Sequence, residues 1–348
     1  MKFMPSSRLL SLIVLSMPLL AYSQEASVSV ETCSRCHANQ TAHPSSMSDA
    51  SARASASKVL ILRKSLGYQD GKYKYELRLA GDRVTYEVTD GNKVIQNQVD
   101  WVIGSGKMGQ AYLFWRDGSW YETQVSYYSA LQGLGRMLGG RTPSDLESAV
   151  GPRLPESVAS GCFSCHTTGY VVGLDTKIER SKLTPGIVCK RCHVGAEAHA
   201  AQALMGDQSP REMDSLSRLD ADAVSELCGT CHRTWSNIVL NGPHGVDNVR
   251  FHPYRLANSK CYKGSDRRIS CVACHEPHVP LESSILAYDV KCVACHTGKK
   301  MSGSAPACPT RTSKCVSCHM PKYALPNTHE EFTDHDIRIV KANEPYPD

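Results

Sequence analysis

The chain has 348 residues, room for one to three domains, and its 41% apolar and 21% charged side chains exclude a disordered polymer. Sixteen Cys and fourteen His stand against five Phe and four Trp, so aromatic side chains alone would fill an interior poorly. The formal charge is +5, and beyond the N-terminus no apolar run approaches the roughly 20 residues of a membrane-spanning helix.

Residues 1–23 read as a signal peptide. Lys2 and Arg8 supply the positive end, Leu9 to Leu20 the apolar stretch, and Ala21-Tyr22-Ser23 a small-x-small cleavage pattern. The mature chain then starts near Gln24 and is exported, to the periplasm or beyond, where disulfides are permitted. No Cys follows the cleavage site, which argues against a lipid anchor.

Residues 24–57 hold the motif Cys33-x-x-Cys36-His37 and a Ser/Ala-rich linker, Ser45 to Ser57. Residues 58–150 carry no such motif. Alternating stretches at Tyr73 to Leu79, Val84 to Val88, Ala111 to Trp115 and Trp120 to Val125, with turn signals Asp90-Gly91 and Asp117-Gly118, predict a small antiparallel β domain. Within it, Gly104-Ser-Gly106-Lys-Met-Gly109 matches G-x-G-x-x-G, but a strand-like segment follows where a dinucleotide site needs a helix, so it reads as a loop between strands.

Residues 151–348 repeat the motif six times, at Cys162-Cys165-His166, Cys189-Cys192-His193, Cys228-Cys231-His232, Cys271-Cys274-His275, Cys292-Cys295-His296 and Cys315-Cys318-His319. Random placement of this composition predicts roughly 0.03 copies in the chain, against seven found. Two Cys three apart share one side of a helical turn and can form thioethers to one haem, while the next His reaches its iron as proximal ligand. Zinc or thioredoxin-like sites also use C-x-x-C, but neither requires His at the fifth position each time. The motifs therefore predict seven covalent c-type haems with short helices and coil packed around them.

Seven His remain outside the motifs: His43, His199, His244, His252, His278, His329 and His335, one distal ligand for each predicted haem. His278 follows His275 by three residues, shares its side of the haem, and should ligate a different iron. The same argument applies less strictly to His199 and His43, and ligands borrowed across motifs would draw the haems into one array. Met47 is held as a substitute for His43. Cys261 and Cys308 are left over; a disulfide, buried thiols, or an unusual site at Cys261 all remain open, although Lys260 does not make a Cys-x-x-Cys-Lys motif. Charge changes with cofactors: +5 becomes +3 without Lys2 and Arg8, and fourteen propionates bring it to about −11 with ferrous or −4 with ferric cores. The basic sequence is thus no sign of nucleic-acid binding.

Several stretches resemble bacterial multihaem c-type cytochromes, including those often fused to tetratricopeptide repeats. They are Gln98 to Gly106, Gly161 to His166, Gly186 to His199, His252-Pro-Tyr-Arg-Leu-Ala-Asn-Ser-Lys-Cys261, Cys271 to His278, Cys315 to Lys322 and Phe332-Thr-Asp-His335. The resemblance implies that His252, His278 and His335 are distal ligands and that Cys261 pairs with Cys308. The repeats of the fused members are absent from this sequence.

Together these readings predict an electron carrier with bis-histidine iron and no catalytic residues, exchanging electrons with redox proteins or other cytochromes. A nitrite, hydroxylamine or sulfur-oxyanion reductase with one open haem is the alternative, as is an extracellular filament in which a terminal His completes a haem of the neighbouring copy.

Overall fold

The structure is a computed structural model and describes residues 29–173, 175–207, 213, 216–263, 268–296, 308, 313–341 and 343–347. The expected export signal, residues 1–23, lies outside the described residues.

The first motif is straddled by α1 (Val30–Ser34), capped by the Ser29 hydroxyl, and α2 (Ala38–Thr41). The chain continues through β1 (Ser51–Arg53) and α3 (Lys58–Arg63), the latter started by the Ser57 side chain accepting from the Leu60 N–H. Nine strands follow: β2 (Ser65–Asp70), β3 (Tyr73–Ala80), β4 (Arg83–Thr89), β5 (Val94–Val99), β6 (Trp101–Ile103), β7 (Gly109–Arg116), β8 (Ser119–Glu122), β9 (Val125–Tyr128) and β10 (Gly133–Arg136). Strands β2 to β5 form a four-stranded antiparallel meander; a second sheet runs β1-β6-β7-β9-β10, with β8 also paired to β7.

Side-chain alternation decides how these sheets pack. Tyr73, Tyr75 and Leu77 of β3 and Val84, Tyr86 and Val88 of β4 share one core with Val102, Tyr112, Phe114, Val125 and Tyr127 of the second sheet. The intervening residues of that second sheet, Trp101, Ile103, Leu113 and Trp120, form another core with Leu154, Ala159, Phe163, Ile178 and Leu183. The second sheet is therefore covered on both faces, once by its partner sheet and once by the chain carrying the second motif. The β7–β8 turn has positive φ at both Asp117 and Gly118, the type I′ geometry that the Asp-Gly pair predicts. The G-x-G-x-x-G segment joins β6 to β7 as a loop.

Two sequence expectations need correction. The stretch read as linker up to Ser57 is structured: β1 pairs with β6, Ala54 is buried, and the buried Ser57 hydroxyl donates to Gln110. Small side chains are there because this strand edge packs tightly, which composition alone confuses with flexibility. Trp120 to Val125 is two strands. Glu122 pairs with Leu113 but Tyr127 pairs with Gln110, so the register slips by two residues, and the Thr123 hydroxyl donates to the Val125 carbonyl within the break.

Beyond the β region come α4 (Leu146–Val150), opened by an Asp145/Ser148 capping box, α5 (Glu156–His166), α6 (Ala196–Leu204), α7 (Ala221–His232) and α8 (Trp235–Asn241). Next are α9 (His252–Asn258), α10 (Lys260–Lys263), α11 (Cys271–Cys274), α12 (Ile285–Val293), α13 (Val316–His319) and a hairpin of β11 (Lys322–Leu325) with β12 (Glu330–Thr333). The tip of this hairpin docks on the β region, where Glu330 accepts from Ser129 Oγ and the Ala130 N–H, both at 3.0 Å. Among the described residues no helix is long and apolar enough to cross a membrane.

Candidate haem sites

Each Cys-x-x-Cys-His sequence forms one helical turn. In five motifs the His N–H donates to the carbonyl of the first Cys, from His37, His193 and His275 at 2.9 Å and from His296 and His319 at 3.0 Å. The other two motifs are the last turns of α5 and α7, ending at His166 and His232. The turn sets both sulfurs and the imidazole on adjoining parts of one surface. Local sequence explains the helices: Asp220 caps α7 by accepting from Ala223, and Asp289 of α12 accepts from the Lys314 and Cys315 N–H groups at the start of the seventh motif.

Three imidazoles have their proton position fixed by a backbone carbonyl. His166 Nδ1 donates to the Ala50 carbonyl at 2.9 Å, His319 Nδ1 to the Arg338 carbonyl at 2.9 Å and His335 Nδ1 to the Thr333 carbonyl at 3.1 Å. A carbonyl can only accept, so the proton sits on Nδ1 and Nε2 keeps its lone pair. Burial lowers the basicity of His193, His232 and His275, lowers His252 strongly, and pushes His335 down to about 4. These rings are neutral near pH 7, the ligating form.

Tertiary structure brings four motif histidines to four of the others. Ring centroids are 6.3 Å apart for His37 and His199, 6.1 Å for His193 and His278, 6.0 Å for His232 and His252, and 6.2 Å for His275 and His335. Imidazoles bound at about 2.0–2.1 Å on opposite sides of one metal have centroids about 6 Å apart. In all four pairs the second ring comes from outside the first ring's own motif. His252 and His335 also touch each other, at 4.3 Å.

The remaining distal candidates are not brought to a motif ring by any described ring contact. His43 and His329 are exposed, and His329 meets the edge of Tyr128 at 5.3 Å. His244 stands at the start of a 3₁₀ turn over Gly245–Asn248. Met47 lies in a similar turn, its carbonyl accepting from Ile187.

Thiols of different motifs also meet. Cys165 lies beside Cys231, and Cys228 beside Cys271, which raises the first thiol of each pair and lowers the second. Cys33 interacts with Cys189, and Cys292 with Cys315. Cys261 is half-buried near Cys274 and Cys295, while Cys308 is exposed; the structure does not show the Cys261–Cys308 disulfide.

Three features escaped sequence reasoning. Glu122 is a half-buried carboxyl pushed up to about 7 by loss of solvent, close enough to Cys162 to raise that thiol further. The Ala50 carbonyl that holds His166 lies in the supposed linker. Arg255 and Asp334, fully buried, form an ion pair at 2.8 Å. Only the last had a signal, since both residues lie in stretches that carry the family resemblance.

These residues fit covalently attached haem: the sulfurs and His share a turn, Nε2 is freed on His166, His319 and His335, and four ring pairs are spaced to hold an iron between them. Apolar side chains beside the motifs, among them Val194, Val272 and Val290, are exposed on the polypeptide and suited to cover haem faces.

Residues 141–194, which span α4, α5 and the second and third motifs, match the family described as cytochrome c554 and c-prime. No curated protein and no solved structure matches the chain significantly. The family match supports a c-type cytochrome family for this chain, one that implies covalently bound haem c and points to multihaem electron transfer.

Proposed function

We propose that the chain is an exported cytochrome with seven haems that carries electrons along bis-histidine irons, without a catalytic site of its own. The observation that carries this reading is the set of four His pairs at 6.0–6.3 Å, each joining a motif His to a His from elsewhere in the fold. On it, His37 pairs with His199, His193 with His278, His232 with His252, and His275 with His335. His43, His244 and His329 are left for His166, His296 and His319.

The bound haems supply one-electron chemistry. The chain sets the distances between them, keeps water from the buried imidazoles, and fixes the Nδ1 proton where carbonyls accept it. Thiol neighbours order the motifs as first, third, fourth, fifth, sixth and seventh, with the second branching at the fourth. Cys36 and Cys318 at the two ends of this order are exposed, as is Cys274 of the fifth motif within it, which supports exchange of electrons with partner cytochromes or other redox proteins at these three motifs. The disulfide between Cys261 and Cys308 belongs to the same proposal and would tie the segments around the fifth and sixth motifs.

Carbon monoxide binding to the reduced, exported protein tests the reading. Seven six-coordinate haems bind almost none, and ferric spectra are wholly low-spin. Stoichiometric binding by one haem, with a high-spin ferric signal, would overturn the carrier in favour of a reductase with an open iron. That second reading draws on the exposure of His43 and His329 and on the contact of His329 with Tyr128.

A further inference from the structure

Arg255 and Asp334 are the most completely buried charged pair described, at 1% and 0% side-chain exposure. Arg255 grips the carboxylate with two parallel bonds, Nε to Oδ1 at 2.8 Å and Nη2 to Oδ2 at 3.1 Å. Its Nη1 donates to the Pro347 carbonyl at 2.8 Å, and its guanidinium lies 4.6 Å from the Tyr346 ring centre. The same carboxylate accepts from the Asp336 N–H at 3.0 Å.

Its placement is informative. Arg255 stands one turn after His252 on α9, and Asp334 immediately precedes His335. The pair thus clamps together two chain segments, 79 residues apart at the charged groups, whose imidazoles meet at 4.3 Å. Asp334 also accepts from Arg338 Nη1 at 2.7 Å, and the Arg338 carbonyl holds His319 Nδ1 at 2.9 Å. A buried ion pair adds little net stability over a well-packed apolar pair, whereas the two-pronged Arg–carboxylate bond fixes both distance and angle.

We propose that the Arg255–Asp334 pair is a positioning device that aims His252 and His335 at two neighbouring irons, and through Arg338 steadies His319 at a third; this rests on the reading of those histidines as ligands. The pair acts through the imidazoles and touches no electron-transfer atom itself. With the clamp removed, one or both distal rings swing off their irons.

The test uses the haem-loaded protein in five forms: wild type, Arg255→Gln, Arg255→Lys, Asp334→Asn and His335→Ala. The readouts are ferric electron paramagnetic resonance, carbon monoxide bound per reduced molecule, and thermal midpoint. The expected result is carbon monoxide binding that rises from near zero to about one or two per molecule in both clamp variants, with a matching high-spin signal. Arg255→Lys keeps the charge and loses the fork, so its loss of low-spin signal should be smaller than that of Arg255→Gln. Asp334→Asn changes no volume and carries the test where Arg255→Gln fails to mature. A clamp variant with a lowered thermal midpoint, unchanged spin state and no carbon monoxide binding would overturn the positioning role, provided that His335→Ala binds the gas. Failure of His335→Ala to do so would overturn the ligand reading itself, and the proposal with it.

Discussion

His166, the motif histidine that ends α5, donates its Nδ1 proton to the carbonyl of Ala50 at 2.9 Å across 116 residues of sequence. The same carbonyl accepts the Gly104 N–H at 2.8 Å, and the Ser51 hydroxyl beside it donates to the His166 carbonyl at 2.6 Å. The β region is thereby joined directly to a motif histidine, and the Trp101, Trp120 and Phe163 cluster joins it again to the helix that carries that histidine.

Gly104 is the residue on which this junction turns. Its φ is +103°, and an added Cβ would lie 2.5 Å from the Gly109 carbonyl oxygen, so Gly104→Ala must move the loop. We expect a loss of roughly 1–3 kcal/mol in stability. Haem-resolved spectra should show the largest change at the haem attached to Cys162 and Cys165; an unchanged second haem would separate the loop from the site.

Exchange of a distal ligand gives a signed electrochemical result. His278→Met should raise the potential of the haem whose proximal ligand is His193, because thioether ligation favours ferrous iron. The rise should be on the order of 100 mV, within the ~0.8 V that axial ligands command, and spectroelectrochemistry would detect it as one displaced wave. A shift at the haem of His275 would reassign the ligand.

Glu122 makes stability depend on pH. Its folded value is raised from 4.5 to about 7 by burial, so the folded chain holds the proton more tightly than the unfolded one. Stability is therefore full below about pH 4.5 and falls as pH rises towards 7, by about 3 kcal/mol on this group alone. Glu122→Gln should flatten that slope and raise the thermal midpoint at pH 8. Equal slopes in variant and wild type would place the pH dependence elsewhere.

Intact mass of the exported protein should equal the chain from Gln24 plus seven haems. Fewer haems on homogeneous, fully matured protein would remove the count.

Alkylation of the unfolded, non-reduced protein should label neither Cys261 nor Cys308. Full labelling of both would make them thiols and leave the proximity of Cys261 to Cys274 and Cys295 as packing alone.

What the sequence by itself determined is whatever one helical turn or one turn dipeptide encodes. Each Cys-x-x-Cys-His is a local instruction, since three residues within five positions share a surface wherever the turn is placed. The strands around Tyr75, Tyr86 and Leu113 were legible because alternation is local too, and Asp117-Gly118 because positive φ at both positions suits few other pairs. Tertiary structure alone decided the rest. That His199 meets His37 rather than the nearer His193, that His278 meets His193, and that His335 stands between His275 and His252 all depend on how short helices pack, which no spacing rule contains. Ser51 to Ser57 looked like a linker because small side chains mark both flexible chain and close packing; only the pairing of β1 with β6 distinguishes them. Arg255 and Asp334 lie in two separate stretches of family resemblance, and nothing in the sequence pairs them, because a charge's environment is set by neighbours that the chain brings from 79 residues away.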